Sequence, residues 1–178
     1  TRARNVVKVD TSKVALELLG PLGCGFQTGA GGVMNSLACP AGSSIAIFGG
    51  GPVGLAAVMG AVIQGCATII LVEPIAARRG IAKDLGATHV IDPAETADLA
   101  EALRAIVPIG LDFAFDTSGV VPVIEAGLAA LGSHGAIGLV GVPSKADAAI
   151  SVNIAALMTP GHRIIGIIEG DSDPQSFI

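Results

Sequence analysis

The chain has 178 residues, enough for one domain with a full core. It is 51% hydrophobic and only 14% charged, a composition typical of a sheet covered by helices on both faces. Its net charge of −5 argues against nonspecific binding of nucleic acid or membrane surfaces as the main activity. The three cysteines, at 24, 39 and 66, are odd in number and lack C-x-x-C spacing, so we expect no disulfide framework. No apolar run is long enough to span a bilayer, and we expect a cytoplasmic protein.

Strand-like apolar runs alternate with helical patterns along the chain. The predicted strands are 43–48, 67–72, 89–91, 111–115, 136–140 and 163–168, with a separate strand-like run at 6–9. The predicted helices are 27–38, one entered at Pro52, 76–85, 95–107 with a cap in 92–96, 121–131, 153–158 and one entered at Pro174. This alternation implies right-handed crossovers and a parallel sheet of about six strands. We therefore predict an α/β fold with a doubly wound Rossmann sheet.

The segment around residues 43–55 carries the clearest functional signal. An apolar strand runs into the spacing G-x-G-x-x-G at Gly49, Gly51 and Gly54, and a helix follows. In such a turn the first glycine permits the tight bend, the second leaves room for a pyrophosphate, and the third lets the helix pack on the strand. The free N–H groups at the helix N-terminus attract phosphate. Nineteen residues after Gly54, at the end of the next strand, Glu73 is placed to bind ribose hydroxyls, so we predict a dinucleotide site.

The stretch ahead of the sheet does not follow the alternation. Residues 18–29 form a glycine-rich turn entering a helix, and Cys24 is the one reactive side chain in it. We divide the chain into residues 1–40, a strand and a cysteine turn with its helix, and residues 41–178, the nucleotide-binding domain. The unpartnered run at 6–9 and the helix that begins at Pro174 lead us to expect a fragment of a longer protein, truncated at its C-terminus.

Two motifs together resemble those of a known family. Gly-Cys-Gly-Phe-Gln-Thr-Gly at 23–29 and Gly-Gly-Gly-Pro-Val-Gly at 49–54 are similar to motifs of the zinc-dependent alcohol dehydrogenases in the medium-chain dehydrogenase/reductase superfamily. The resemblance covers essentially the whole chain and continues through 85–91, 115–119 and 140–143. Within the family, segments 17–24 and 166–171 look most like the aryl- (benzyl-) alcohol dehydrogenases.

The resemblance implies a catalytic role for Cys24 and Thr28. Cys24 matches one of three protein ligands of a catalytic zinc, the others being a Cys and a His in an N-terminal catalytic domain. One cysteine cannot hold the metal, so we expect this chain alone to be inactive. Thr28 matches a residue that packs against the nicotinamide ring. We interpret Cys39 and Cys66 as ordinary packing residues.

The resemblance also implies the remaining contacts to the cofactor. Val140 and Val142 match the lining of the nicotinamide pocket, and the backbone of Ile167 and Ile168 matches the strand that meets the carboxamide. Arg78 matches a basic residue near the adenosine ribose, with a solvated surface arginine as an equal alternative. The predicted cofactor-binding residues are Thr28, Gly49, Gly51, Pro52, Val53, Gly54, Glu73, Arg78, Val140, Val142, Ile167 and Ile168.

The acid at position 73 also bears on the choice of cofactor. The family usually has Asp there, and either carboxylate would repel a 2′-phosphate, so we expect NAD rather than NADP. Some use of NADP is expected only if Arg79 turns inward. Asp116, four residues after Asp112 on one predicted strand, is interpreted as a strand-end residue near the cofactor rather than half of a glycosidase pair.

For the intact protein the resemblance implies reversible oxidation of a primary, benzylic alcohol to the aldehyde, with hydride passing to NAD and zinc holding the substrate oxygen. It also implies a catalytic domain as partner and a homo-oligomer, dimer or tetramer, with strand 163–168 as a dimer edge. Two alternatives stay open, a non-catalytic NAD(H) sensor and a zinc-free quinone reductase of the same superfamily. Cys24 argues against both, and the absence of Tyr argues against a short-chain dehydrogenase.

Overall fold

A computed structural model describes residues 6–178, and residues 1–5 of the predicted segment 1–40 lie outside the described part. Six parallel strands form one sheet in the spatial order β3-β2-β1-β4-β5-β6. The strands are β1 (Ser44–Phe48), β2 (Thr68–Val72), β3 (His89–Ile91), β4 (Leu111–Asp116), β5 (Leu131–Leu139) and β6 (Arg163–Gly166). The helices are α1 (Gly25–Gly31), α2 (Pro52–Ile63), α3 (Ala76–Asp84), α4 (Leu99–Ile106), α5 (Val121–Ala129), α6 (Ile154–Met158) and α7 (Pro174–Phe177). The predicted doubly wound fold is confirmed, and its strand order reverses between β1 and β4.

The central strand β1 is buried along its whole length. Its alternate side chains enter two different cores, because successive side chains of a strand point to opposite faces. Ile45 and Ile47 pack on one side with residues of α2 and α3, and Ala46 and Phe48 pack on the other with residues of α4 and α5. This double burial explains why the run reads as continuously apolar rather than alternating.

Two predictions near the ends of the described chain need correction. The run at 6–9 is not a strand: residues 6–10 have no regular secondary structure in the structure. The last strand, predicted over 163–168, ends at Gly166, so Ile167 and Ile168 lie beyond it. The helix predicted over 27–38 is confirmed in position but begins at Gly25, and a π-helical turn, Gly32–Ser36, continues it after α1.

The helix predicted over 95–107 begins later than expected. Its first residue is Leu99, and its N-cap is Asp98, whose side chain accepts a 2.9 Å hydrogen bond from the N–H of Glu101. Asp92, which we expected near the cap, instead accepts a bond from the N–H of Ala94 in a turn. Because Asp98 satisfies a free N–H of the first helical turn, it sets the start of α4.

The boundary between α5 and β5 also differs from the prediction. The helix ends at Ala129, and β5 begins at Leu131, five residues before the predicted start. Leu131 pairs with Leu111 of β4, and the pairing resumes at Phe113 and Ala136 after a shift in register. Residues 131–135 therefore join the strand by pairing with β4, although they have no local strand pattern.

Within residues 6–178, no helix is both long and apolar enough to cross a membrane.

Candidate cofactor-binding site

The glycine turn between β1 and α2 requires glycine for its shape at two of the three positions of the motif. Gly49 has a φ of +97°, in the region that favours glycine. A Cβ on Gly54 would lie 1.8 Å from the carbonyl oxygen of Gly49, so the helix can approach the turn only without a side chain there. A Cβ on Gly51 would meet no atom within 4 Å and would project into open space. The turn thus has a tight side, at Gly54, and an open side, at Gly51, next to the N-terminus of α2.

Glu73, directly after β2, forms a hydrogen bond that stabilises this turn. Its side chain is only 3% exposed. One carboxylate oxygen, Oε2, accepts a 2.6 Å hydrogen bond from the N–H of Gly50, and Oε1 accepts a 2.8 Å bond from the N–H of Ile75. The Nη1 atom of Arg78 lies 3.6 Å from Oε2. The acid predicted to bind ribose therefore also holds the glycine turn against the end of β2.

A cavity of about 540 Å³ opens between the glycine turn and the loops that follow β2 and β4. It lies at the carboxyl ends of the central strands, where the strand order reverses, which is the usual ligand crevice of an open α/β sheet. Six predicted cofactor-binding residues line it, namely Gly49, Gly51, Pro52, Val53, Glu73 and Arg78. Gly54 packs behind the turn and does not line the cavity. The structure therefore brings the predicted phosphate and ribose groups together.

The rest of the cavity lining comes from residues that the sequence analysis did not assign to the site. They are Val72, Pro74, Ile75, Pro93, Thr117, Ser118, Val120 and Val123. Thr117 donates a hydrogen bond from its hydroxyl to the carbonyl oxygen of Phe48, at 2.8 Å, and so joins the loop after β4 to the end of β1. Their place in the sequence could have identified residues 117–120 as part of the site, because they directly follow β4, the strand beside β1. Predominantly apolar walls of this kind suit a flat aromatic base.

Asp116 organises the loop after β4. Its side chain is fully buried, and one oxygen accepts hydrogen bonds from the N–H and the hydroxyl of Ser118, at 3.0 and 2.6 Å. The other oxygen accepts a 3.0 Å bond from the N–H of Gly119. Asp112, on the same strand, bonds instead to the N–H and hydroxyl of Ser44 at the amino end of the sheet. The two acids therefore lie at opposite ends of β4 and do not form a catalytic pair.

The two arginines of α3 have different surroundings. The Arg78 side chain is 46% exposed and borders the cavity. Arg79 forms an ion pair with Asp92, with 2.8 Å between Nη1 and Oδ2. The same nitrogen donates to the carbonyl oxygens of Glu73 and Pro74, at 2.7 and 2.8 Å. Arg79 is thus engaged with Asp92 and the backbone, and it does not line the cavity.

Cys24 and Thr28 lie beside the glycine turn but outside the cavity. The Cys24 thiol is exposed, and its carbonyl oxygen accepts a 2.8 Å hydrogen bond from the N–H of Thr28. A Cβ on the intervening Gly25 would lie 3.3 Å from the Cβ of Pro52, so this segment touches the start of α2. No group of three His, Cys, Asp or Glu side chains that could hold a metal occurs in residues 6–178. Cys24 by itself does not constitute a zinc site.

The residues predicted to contact the nicotinamide lie near the same edge of the sheet, beyond β5 and β6. Val140 is half-buried, whereas the side chain of Val142 is 86% exposed. Ile167 is buried in the core, and Ile168 is 78% exposed. None of these four lines the 540 Å³ cavity. Six of the predicted cofactor-binding residues therefore share one cavity, and these four lie outside it.

Comparison with known proteins agrees with this geometry. The family model described as zinc-binding dehydrogenase matches residues 52–178. The chain is 45% identical over 177 residues to geraniol dehydrogenase of Castellaniella defragrans, covering 99% of this chain and 47% of that protein. It is 47% identical over 174 residues to a probable alcohol dehydrogenase of a Pseudomonas species, covering 96% of this chain and 54% of that protein.

A solved structure shares the fold over nearly the whole chain. Benzyl alcohol dehydrogenase from Acinetobacter calcoaceticus superposes with a TM-score of 0.93 at 40% identity, covering 99% of this chain and 47% of that chain. The chain thus spans about half the length of the relatives it matches. The predicted resemblance is confirmed: this chain belongs to the zinc-binding dehydrogenase family of the medium-chain dehydrogenase/reductase superfamily.

Proposed function

We propose that this chain is the NAD-binding part of an oxidoreductase that transfers hydride between a primary alcohol and NAD. The observation that carries the proposal is the cavity in which an open glycine turn and a buried carboxylate meet at the reversal of strand order. Phosphates bind helix N-termini beside glycines, and a carboxylate accepts hydrogen bonds from ribose hydroxyls. The turn and Glu73 supply these two groups in one cavity.

Each part of the cavity would bind a different part of the dinucleotide. The pyrophosphate would lie against Gly51, where the absence of a side chain leaves the N-terminus of α2 open. The adenosine ribose would bind Glu73, whose oxygens keep lone pairs beyond those used by Gly50 and Ile75. The adenine would lie between the apolar side chains of the α3 and α5 sides of the cavity. The bound cofactor supplies the hydride-accepting carbon.

Selection of NAD over NADP would follow from charge. A 2′-phosphate at the ribose would meet the Glu73 carboxylate, which is buried and so poorly screened by water. Arg79, the second cation that could compensate, is engaged with Asp92 and two carbonyl oxygens. Arg78 borders the cavity, but it lies 3.6 Å from Glu73 and is already partly neutralised by it.

We further propose that the intact protein acts on primary alcohols with an unsaturated or aromatic carbon beside the alcohol group. Support comes from two relatives, a geraniol dehydrogenase and a benzyl alcohol dehydrogenase, because both names denote alcohols of this type. Cys24 would be this chain's single contribution to a metal site whose other ligands lie outside it. We also propose that residues 41–178 form the cofactor domain and that residues 1–40 lead from a catalytic domain. Strand β6 lies at one edge of the sheet, and we propose that it joins copies of the chain in a dimer or tetramer.

A titration of the chain with NADH, and separately with NADPH, tests the cofactor proposal. The chain has no Trp and no Tyr, so the fluorescence of bound nicotinamide is observed with little protein background. We expect saturable binding of NADH and at least tenfold weaker binding of NADPH, a difference of about 1.4 kcal/mol. Equal binding of both cofactors would remove the NAD assignment. Binding of neither by a chain that is folded by circular dichroism would show that the glycine turn is structural only.

A further inference from the structure

The loop after β6 has an unusual backbone conformation. Glu169, Gly170 and Asp171 have φ values of 52°, 64° and 47°, so three successive residues lie in the left-handed region. Two of the three carry side chains, which strain this conformation. Such a segment persists only where surrounding contacts hold it, and these segments concentrate at functional sites.

Side chains of the π-helical turn after α1 supply those contacts. Asn35 donates from Nδ2 to the carbonyl oxygen of Gly170 at 3.2 Å and to the hydroxyl of Ser172 at 3.0 Å. Ser36 donates from its hydroxyl to Oδ2 of Asp171 at 2.6 Å. We call Asn35 and Ser36 the loop clamp. A π-helical turn shifts the side chains after it around the helix axis, and π-helical turns are frequent at functional sites.

The backbones of α1 and the loop also touch. A Cβ on Gly31 would lie 2.1 Å from the Ser172 hydroxyl oxygen and 2.8 Å from the carbonyl oxygen of Gly170. A Cβ on Gly170 would lie 2.4 Å from the carbonyl oxygen of Gln27. Glycine at both positions is therefore required for this approach. The loop is seated directly on α1 as well as tied to the turn that follows it.

The clamp joins two segments that the resemblance to the family predicts to contact the nicotinamide. Thr28 belongs to α1, which continues into the turn that carries the clamp. Ile168 directly precedes the strained loop, and its carbonyl oxygen accepts a 3.1 Å hydrogen bond from the N–H of Asp171. The loop that directly follows Ile168 is thus tied to the helical segment that carries Thr28.

We propose that Asn35 and Ser36 are positioning residues for the nicotinamide half of the cofactor. They hold the 169–172 loop against α1 and so keep the Ile168 backbone at a set distance from Thr28, which reduces the ordering cost of binding. The adenosine half is independent of the clamp, because neither clamp residue lines the 540 Å³ cavity. This inference rests on the proposed function and adds two residues that lie outside the cavity.

The test compares two ligands, NADH and ADP-ribose, which lacks the nicotinamide. In the variant with both Asn35→Ala and Ser36→Ala, we expect NADH affinity to fall about tenfold, because three hydrogen bonds that order the loop are lost. We expect ADP-ribose affinity to stay within about twofold of the unmodified chain, since the phosphate and ribose contacts remain. A chain with Ser36→Thr alone keeps Asn35 and a hydroxyl at position 36, so it should bind NADH nearly as tightly as the unmodified chain. Asn153→Ala, which removes the side-chain cap of α6, is the matched control and should change neither affinity.

The possible results separate the two proposals. Equal loss of NADH and ADP-ribose affinity in the clamp variant would show that Asn35 and Ser36 serve general stability and would overturn the inference. Unchanged NADH affinity, with faster hydrogen exchange of the amides at 168–172 proving that the loop is released, would also overturn it. If the unmodified chain binds neither ligand, the proposed function itself fails and the inference with it.

Discussion

The N–H of Gly50 donates a 2.6 Å hydrogen bond to the Glu73 carboxylate, between the middle of the glycine turn and the residue after β2. Both groups are buried in the structure. The groups that would bind phosphate and ribose are therefore coupled, because the ribose acid also sets the shape of the phosphate turn. Changes at one of them should affect the other.

Replacement of Glu73 tests this coupling. We expect Glu73→Ala to lower the free energy of unfolding by about 1–3 kcal/mol, because the N–H groups of Gly50 and Ile75 lose their acceptor. NADH affinity should fall by more than about tenfold, since the ribose contact is also lost. Urea denaturation measures the first effect and nicotinamide fluorescence the second.

Glu73→Gln is the matched control for that experiment. The amide keeps one oxygen acceptor, so we expect a smaller loss of stability than with alanine. The amide carries no negative charge, so NADPH affinity should rise relative to NADH affinity. A Glu73→Ala chain that loses stability but binds NADH as before would contradict a role of this acid in the cofactor site.

Gly51 and Gly54 should respond to alanine in opposite ways. A Cβ at 51 projects into open space, so we expect Gly51→Ala to change the free energy of unfolding by less than about 0.5 kcal/mol. The same methyl group lies where the pyrophosphate would bind, so NADH affinity should fall at least about tenfold. Thermal denaturation and NADH titration of one preparation give both values.

Gly54→Ala should mainly destabilise the chain. Its Cβ would lie 1.8 Å from the Gly49 carbonyl oxygen, and overpacking of this kind costs about 1–3 kcal/mol or more. If Gly51→Ala were the more destabilising of the two, the open side of the turn would be assigned wrongly.

Asp116 should prove structural rather than catalytic. We expect Asp116→Ala to lower the free energy of unfolding by about 3 kcal/mol or more, because three donors in the buried loop after β4 lose their acceptor. Asp116→Asn keeps one acceptor oxygen and should cost less. Chemical denaturation checks the order of the two variants. A stable Asp116→Ala chain with normal loop exchange would contradict this role.

Cys66 should react with alkylating reagents at unusually low pH. The interaction with the Cys39 thiol lowers the pKa of Cys66 to about 6, with a smaller lowering from the Ser43 hydroxyl 3.5 Å away and against the opposing effect of burial. The same contact, with burial, raises the pKa of Cys39, which therefore stays a thiol. We expect the alkylation rate of Cys66, followed by mass spectrometry of its own peptide, to rise with a midpoint near pH 6.

The Cys39→Ala variant is the control, and it should move that midpoint towards the usual thiol value of 9.0. The sign of the effect on stability follows from linkage. The lowered pKa of Cys66 contributes stability that is fully present above pH 9.0 and is lost as the pH falls through about 6. The raised pKa of Cys39 opposes this contribution above pH 9.0. An unchanged midpoint in Cys39→Ala would show that the contact between the two thiols does not set the reactivity.

Features that depend on neighbouring residues in the chain were predicted well. The strand, glycine turn and helix at 43–63 and the acid after the next strand are confirmed, because burial on both faces and glycine geometry leave a local pattern. Element ends were less predictable. The start of α4 at Leu99 follows from the cap at Asp98 rather than at Asp92, and the start of β5 at Leu131 follows from pairing with Leu111.

By itself, the sequence determined the doubly wound fold, the glycine turn and the acid at its side, since period, glycine spacing and strand ends are written in consecutive residues. Only the tertiary structure decided which loops wall the cavity, that Glu73 bonds to the turn, and that Arg79 is engaged with Asp92. It alone also placed Asn35 on a loop 135 residues later in the chain. The physical reason is that these contacts form between segments brought together by sheet order and helix packing, and hydrogen bonds at such distances along the chain leave no periodic signal in the sequence.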